Sequence, residues 1–305
     1  MELVTHLVSA GSDMFNLSFN IGDYLRRITF VLRTGLDAPY LLHQLLAFSA
    51  RHLAFLHPRK SPDYLHLATT LQTRAVSLFN ATALARTGAA AVDGSNCVAV
   101  VAFSSVLGHH LLTDVLAPPQ QRETLDGFLA RYVQAMDMNR GVVAVSTASW
   151  PLLMTTEVGP TIAASAAFAR REAKGEHCKD LQELVEGAKG LSEAEKEACR
   201  RAVRCLQVGL DAIEEDWEEE EGPYCHQMIF VWTMMAPPEL AALLTAKRPE
   251  VLVLLGYYAL LLHHGRSMWQ VGDAGRYILG LIMDNLGPEW YALLKYPCEE
   301  MGMLP

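Results

Sequence analysis

The side chains with reactive chemistry in this sequence come as neighbours. His109-His110, His263-His264 and Cys225-His226 are consecutive residues. An imidazole can ligate a metal or act as a general base, and a thiol beside one can serve as a nucleophile. All three pairs lie in apolar stretches that read as helix, and consecutive residues on a helix face different ways. Neither histidine pair can therefore close on one metal from its own element, and Cys225 does not converge with the imidazole next to it. A cysteine and a histidine brought together from different helices remain open. The sequence has no Gly-x-Ser-x-Gly elbow, no phosphate-binding glycine loop and no His-Glu-x-x-His helix. Its six cysteines, Cys97, Cys178, Cys199, Cys205, Cys225 and Cys298, form no Cys-x-x-Cys pair. That indicates neither a zinc site nor a disulfide framework, and buried free thiols in a reducing compartment are expected. The expectation is a chain with no catalytic residues, no metal and no cofactor.

What the sequence does supply is material for an apolar cavity. It has 12 methionines, and Met228, Met234, Met235 and Met268 fall close to aromatic residues. Thioethers adapt to irregular apolar ligands, and small-molecule pockets are largely apolar with a few polar anchors. Tyr257, Tyr258, His110, His263, Ser49 and Ser104 could serve as anchors. For any one of them, a core position with a satisfied polar group is the simpler reading.

These residues need elements to position them. The most apolar is Val251 to Leu262, which has no polar face. Such a helix is covered on all sides or lies in a membrane. At about 12 residues it is short of the roughly 20 that span a bilayer. It reads as a buried central helix, opened by Pro249 and Glu250 and running on through His263, His264 and Gly265 towards Trp269.

Taken in order, Glu2 to Asn16 is a short lead-in, with His6 and Leu7 in peripheral packing. Ile21 to Leu36, carrying Arg26, Arg27 and Arg33, is an amphipathic surface helix that Gly35 ends. Pro39 opens a helix over Tyr40 to Leu56. Pro58 stops it, and Lys60-Ser61-Pro62-Asp63 turns into a second helix from Tyr64 to Asn80. This hairpin has no self-similar partner further along, which opposes a solenoid. Gly88 to Gly94 is loop. Asn96 or Ser95 caps Cys97 to Leu116, which is nearly all apolar. Pro118-Pro119 breaks the chain before an amphipathic helix from Gln121 to Asn139, which ends at Arg140-Gly141.

Residues 170 to 222 read as a polar, partly flexible segment. Within it Ser192 and Glu195 form a capping box for a helix reaching about Asp216. The acidic run Glu214 to Glu221, interrupted by Trp217, reads as a solvated, fraying helix end or an acidic partner patch. After Gly222-Pro223 come Tyr224 to Met235, then Glu239 to Ala246 behind Pro237-Pro238. The central helix, Arg276 to Leu286 and Glu289 to Leu294 complete the chain. No stretch reads as a strand. The fold class is all-α, a single domain over residues 1–305 of about ten to thirteen helices.

Composition agrees: 51% of the 305 residues are hydrophobic and 19% charged, which suits a globular chain with a large core. The net charge of -9 opposes direct nucleic-acid binding, which wants a basic face. The N-terminus carries no signal-peptide pattern, and no run reads as long enough to span a membrane.

Several segments resemble a known family. Leu41-Leu42-His43-Gln44-Leu45-Leu46-Ala47-Phe48-Ser49-Ala50-Arg51-His52-Leu53-Ala54 resembles a helix of the fungal sterol uptake control protein family, which are zinc-cluster transcription factors. Tyr64 to Phe79 fits the helix that follows. Tyr132 with Asn139-Arg140-Gly141-Val142 is similar to a further motif. Phe230-Val231-Trp232, Arg248 to His263 and Trp269 are similar to the family's most characteristic region, and Trp290 with Tyr296-Pro297 to its closing one. The resemblance covers nearly the whole chain. It implies an all-helical effector domain; the family's best-understood members bind ergosterol in an apolar pocket of this domain and are held inactive when liganded, while the resemblance leaves this chain's own ligand open. Two departures stand out. The six-cysteine DNA-binding zinc cluster is absent, and Trp232-Thr233 stands where the family has Trp-Pro.

The reading that results is the ligand-sensing regulatory domain of a fungal transcription factor, in the nucleus or cytoplasm. Its partner would be a sterol-like or other hydrophobic small molecule. The candidate lining is Phe48, His52, Phe103, Leu107, His110, Met228, Trp232, Met235, Tyr257, Tyr258, Leu261 and Trp269. The alternatives are an enzyme using that pocket on a hydrophobic metabolite, and a helical interaction scaffold that forms a homodimer.

Overall fold

A computed structural model of the protein describes residues 1–15, 21–85, 92–117, 123–215 and 225–303. Among these there are fifteen α-helices and three 3-10 turns, so the chain is all-α. The expected count was low because short helices escape a periodicity search. The helices are α1 (Glu2–Ser9), α2 (Ile21–Asp37), α3 (Pro39–Leu56), α4 (Ser61–Ala85), α5 (Cys97–Leu116), α6 (Leu125–Ala148), α7 (Trp150–Leu153), α8 (Gly159–Ala169), α9 (Lys179–Gly187), α10 (Glu193–Glu215), α11 (Cys225–Met235), α12 (Pro238–Thr245), α13 (Pro249–His264), α14 (Ala274–Met283) and α15 (Lys295–Glu300). The 3-10 turns are Gly11–Met14, Pro58–Lys60 and Pro288–Leu294. The chain divides into two compact units. The first is Met1–His110 with Gly141–Ala164, and the second is Leu111–Arg140 with Ser165–Pro305. Helices α5, α6 and α8 give residues to both.

The first unit is built on the α3–α4 hairpin. Pro39 sits in the first turn of α3, where a missing N–H costs nothing, and the helix ends before Pro58. Ser61-Pro62-Asp63, expected as turn, already belongs to α4, because proline is equally welcome in that first turn. Gly35 does not stop α2, which runs to Asp37. A β-carbon at Gly35 would stand in ordinary contact with Leu42 of α3 at 3.4 Å, so no close approach demands this glycine. Helix α1 lies on α3 with Leu7 fully buried. The Tyr24 hydroxyl donates to the Leu7 carbonyl at 2.6 Å, and the Ser49 hydroxyl donates to the Leu3 carbonyl at 2.9 Å.

The second unit surrounds α13. Every residue from Glu250 to Leu262 is buried. Arg248 grips Glu250 through Nε and Nη2 at 3.2 and 3.0 Å, which satisfies the one carboxylate on that helix. The helix stops at His264, short of Trp269, because the chain turns at Gly265. A side chain there would meet Ile229. Helix α10 opens on the expected capping box: Glu195 Oε2 accepts from the Ser192 N–H at 2.7 Å and its hydroxyl at 2.6 Å. The stretch read as polar and partly flexible contributes Leu181, Val185, Cys199, Ala202, Val203 and Leu206 to the core around α13. Its charge lies outward, as in Arg200 with Glu186 and Glu193 at 2.7 and 2.6 Å. Helix α6 passes through Gly141 to Ala148, since one glycine costs a helix only about 1 kcal/mol.

One reading is corrected. Helix α5 is long and apolar enough to cross a membrane, although 61% of its most apolar window is buried within the protein. Helices α11 and α12 pass the same test only as a pair bent by 91°. The loop at residues 86–91, Pro118-Pro119, the acidic run from residue 216 and Gly222-Pro223-Tyr224 lie outside the described residues.

Helices α13 and α14 meet at Gly275. A methyl group there would run into the Ala259 carbonyl oxygen and stand 2.8 Å from His263 N. Backbone cannot yield as a side chain can. Gly280, also on α14, has open space around it. Gly275→Ala is expected to lower thermal stability by about 1–3 kcal/mol. Gly280→Ala is expected to raise it by about 0.5–1 kcal/mol. Melting of the two variants checks both, and a neutral Gly275→Ala would show that the contact imposes no constraint.

Candidate functional site

The candidate lining residues fall in both units. Phe48, His52, Phe103, Leu107 and His110 belong to the first, and Met228, Trp232, Met235, Tyr257, Tyr258, Leu261 and Trp269 to the second.

In the first unit, α3 presents Gln44, Phe48 and His52 along one face at intervals of four. The buried Phe48 ring lies 5.7 Å from the His110 ring and 5.3 Å from Phe15. The Gln44 amide nitrogen stands 3.2 Å from His110 Nδ1. As the amide donates, His110 carries its proton on Nε2 and is neutral. Gln44 is fully buried, and its Oε1 has no hydrogen-bond partner. Turning the amide over would leave its NH2 group unpaired instead. A buried unpaired polar atom costs about 1–3 kcal/mol, and with the amide donating to His110 that atom is the Gln44 carbonyl oxygen. Sequence reasoning passed over it, since an amide in an apolar helix carries no signal until its partner, 66 residues away, is known.

His52 makes a different contact. Its Nδ1 lies 3.1 Å from His6 Nε2, so one ring donates and the other accepts. Burial and the His6 ring push His52 down to about 4, from an ordinary 6.5. Burial also lowers His6, with His57 adding to the effect and Glu2 opposing it. His6 is therefore more than the peripheral packing residue expected. Phe103 belongs to a third group, stacked 4.6 Å from Phe79 and edge-on to Tyr40 at 5.3 Å. Leu107 follows it one turn later, buried. Of the remaining anchors, Ser49 is occupied by the Leu3 carbonyl.

In the second unit, Trp232 stacks on Tyr258 at 5.3 Å with an interplanar angle of 18°. The Trp232 indole N–H donates to the Tyr132 hydroxyl at 2.9 Å, and the Tyr258 hydroxyl donates to the Ile229 carbonyl at 2.8 Å. All three rings are buried, and burial raises both phenols, so they stay neutral. Thr233, next to Trp232, is fully buried. It accepts from Asn139 at 2.9 Å and donates to the Phe230 carbonyl at 2.9 Å. Three segments that carry the resemblance thus meet here: Tyr132 to Asn139, Phe230 to Thr233, and α13.

Tyr257 does not join them. It lies next to Tyr258 on a helix, so it faces away, 6.1 Å from Tyr296. Met228 and Leu261 close over Gly209, where a β-carbon would stand 2.8 Å from Met228 Cγ and 2.9 Å from Leu261 Cδ1. Met235 is 42% exposed at the end of α11, so it lines no interior. Trp269 is half-buried in the turn after α13. His263 and His264 are half-buried at the end of that helix, and burial is the main cause lowering both.

The buried thiols are poorly placed to ionise. Cys178, Cys199, Cys205 and Cys298 are buried free thiols, and burial raises each of them, Cys199 to about 11. A nucleophile needs the thiolate. The side chains of Cys225 and His226 lie outside the described residues. Among the described residues no group of three or more His, Cys, Asp or Glu is placed to hold a metal.

The histidines set a pH dependence. His52 and His109 both fall to about 4 through burial. The unfolded chain takes up these protons near 6.5, and the folded chain only near 4. Between those values the unfolded state holds more protons, so the histidines' contribution to stability is complete above 6.5 and declines as pH falls towards 4. The expected result is a melting temperature that drops over this window. His52→Asn should make the decline shallower by up to about 1.4 kcal/mol per pH unit. An unchanged slope would mean that the folded protein protonates His52 without cost.

Set against known proteins, the chain matches no family model and no curated protein.

Proposed function

We propose that this chain is a ligand-sensing regulatory domain, of the kind found in fungal transcription factors, that takes up a sterol-like or other hydrophobic small molecule. The observation that carries the reading is the Gln44 carbonyl oxygen, buried and unpaired in the first unit beside Phe48 and the neutral His110. An apolar ligand bearing one hydroxyl would supply the missing donor and set its hydrocarbon body against aromatic and aliphatic side chains. The resemblance in the α3, α6, α11 and α13 segments supplies the regulatory context and ergosterol as the first ligand to try. Such a domain would act in the nucleus or cytoplasm through protein contacts, since a net charge of -9 opposes direct contact with nucleic acid.

Binding would stabilise the folded chain by about 2.7 kcal/mol at a free ligand concentration of one hundred times Kd. It would alter regulation only through a difference in affinity between two states. A second reading, a scaffold that dimerises through its helices, draws support from the exposed side chains of Leu36, Phe55 and Leu56.

The test is mass spectrometry of small molecules extracted from the purified chain, followed by thermal shift with ergosterol. A co-purified sterol and a dose-dependent rise in melting temperature are expected. Gln44→Met should weaken ergosterol about tenfold, the cost of one hydrogen bond to a buried acceptor. The methyl ether of the same sterol, which has no proton to give, should be indifferent to the substitution. A clean extract with no shift from any sterol would remove the sterol reading. Light scattering that shows a stable dimer alongside that result would favour the scaffold.

A further inference from the structure

Tyr257, the tyrosine that turns away from the Trp232 cluster, leads to a different site within the second unit. Its ring is 2% exposed and lies 6.1 Å from Tyr296, tilted by 45°. The Tyr296 ring in turn lies 5.6 Å from His177, tilted by 51°. Tyr296 and His177 are both partly open to solvent, so the three rings descend from the surface to a buried floor. They are tilted and not stacked, which leaves ring faces without a ring partner.

The polar atoms among them are incompletely used. His177 Nε2 lies 3.0 Å from Glu214 Oε1. Since the carboxylate accepts, Nε2 carries a proton, and in the singly protonated ring Nδ1 is a lone-pair acceptor. That Nδ1 is buried and has no hydrogen-bond partner. No hydrogen bond ties the Tyr257 hydroxyl to another described residue. The neighbouring Asp211 is fully occupied by contrast, with its carboxylate accepting from the backbone N–H groups of Lys174 and Gly175 at 2.7 and 3.0 Å and from Gln207 at 2.6 Å.

The carboxylates that act on the two phenols are all negative. Asp180 acts on the Tyr257 hydroxyl, and Glu214 and Glu300 act on that of Tyr296, all raising the phenols on top of burial. Lys295, the basic residue next to Tyr296, is paired with Glu299 at 3.7 Å. Glu214 itself is 67% exposed and stands at the rim.

We propose that this niche binds an alkylammonium group. The positive nitrogen would sit against the Tyr257 and Tyr296 faces and donate a hydrogen bond to His177 Nδ1, with Glu214 and Asp180 at the rim drawing it in. Aromatic faces attract a cation within about 6 Å of the ring centroid. An imidazole lone pair favours N–H-bearing amines over quaternary ones. A free polyamine and a lysine side chain share this chemistry.

The probe is butylammonium chloride, titrated into the full chain carrying ring-labelled tyrosine, at constant ionic strength and neutral pH. Saturable shifts of the Tyr257 and Tyr296 signals are expected, with a Kd on the order of 1 mM for so small a ligand. 1-Butanol, its neutral counterpart, should bind at least about tenfold more weakly, and tetramethylammonium should fall between them. Glu214→Gln, at an exposed position that does not threaten folding, should weaken butylammonium several-fold and leave butanol unchanged. Tyr296→Leu should abolish the response. Equal binding of butanol and butylammonium would overturn the proposal in favour of a plain apolar niche, and the absence of saturable shifts in the folded wild-type chain would overturn it outright. Spermidine and a lysine-containing peptide, compared next, would distinguish the two sources.

Discussion

A helix without a polar face has to be covered on every side, and α13 imposes that demand on the second unit. Burying a Val, Leu or Ile side chain is worth about 1.5–3 kcal/mol, and α13 buries Val251 to Leu255 and Leu260 to Leu262. Side chains from α9, α10, α11, α12 and α14 and from the closing 3-10 turn share one core with them. Close coverage then requires small residues where backbones meet. Gly275 admits α14 against the Ala259 carbonyl, and Gly209 lets Met228 and Leu261 close over α10. The charged stretch before α11 serves the same demand. Its acids and arginines face water while its leucines, valines and alanines complete the cover.

A helix so placed must dispose of whatever polar atoms it carries. Glu250 is neutralised by Arg248 within its own first turn. The two tyrosines illustrate the geometric rule that separated the histidine pairs in sequence. Tyr258 finds the Ile229 carbonyl and a stacked indole, while Tyr257, about a hundred degrees round the helix, meets Tyr296 instead. Grouping them in one pocket ignored the rule that had already been applied to His263 and His264.

Much of the architecture was legible because prolines and apolar runs are strong local signals. The bounds of α3 and α5, the buried nature of α13 and the capping box of α10 all follow from residues within a few positions. Glycine proved a weak stop. Gly35 and Gly141 were read as helix ends, yet a glycine inside a helix costs only about 1 kcal/mol, less than the packing that keeps the helix going. The candidate lining was less legible. Phe48 and His110 do meet, as do Trp232 and Tyr258, since bulky residues in apolar stretches turn inward together. Gln44 with His110, His6 with His52 and Asn139 with Thr233 are pairings across 66, 46 and 94 positions. No local pattern announces such partners, because the same amide or imidazole is equally at home on a surface.

The polar atoms that find no partner carry more information than those that do. Most buried donors and acceptors on α3 and α13 end on a carbonyl, a hydroxyl or an imidazole, and such groups specify packing and little else. An unpaired acceptor in a dry interior discriminates, because a ligand that brings a proton relieves its cost and a ligand without one leaves it in place. The discrimination available from such a group exceeds that of apolar contact, where one methylene changes affinity by about 1–3 kcal/mol and shape is easily matched. Gln44 Oε1 and His177 Nδ1 are both of this kind, yet their surroundings differ. Around Gln44 lie Phe48 and a neutral imidazole, which suits an uncharged hydroxyl. Beside His177 lie the Tyr296 ring, with Tyr257 behind it, and a carboxylate, the surroundings on which an alkylammonium was proposed. The same missing proton therefore points to two different ligands, and the charge of the surrounding side chains decides which.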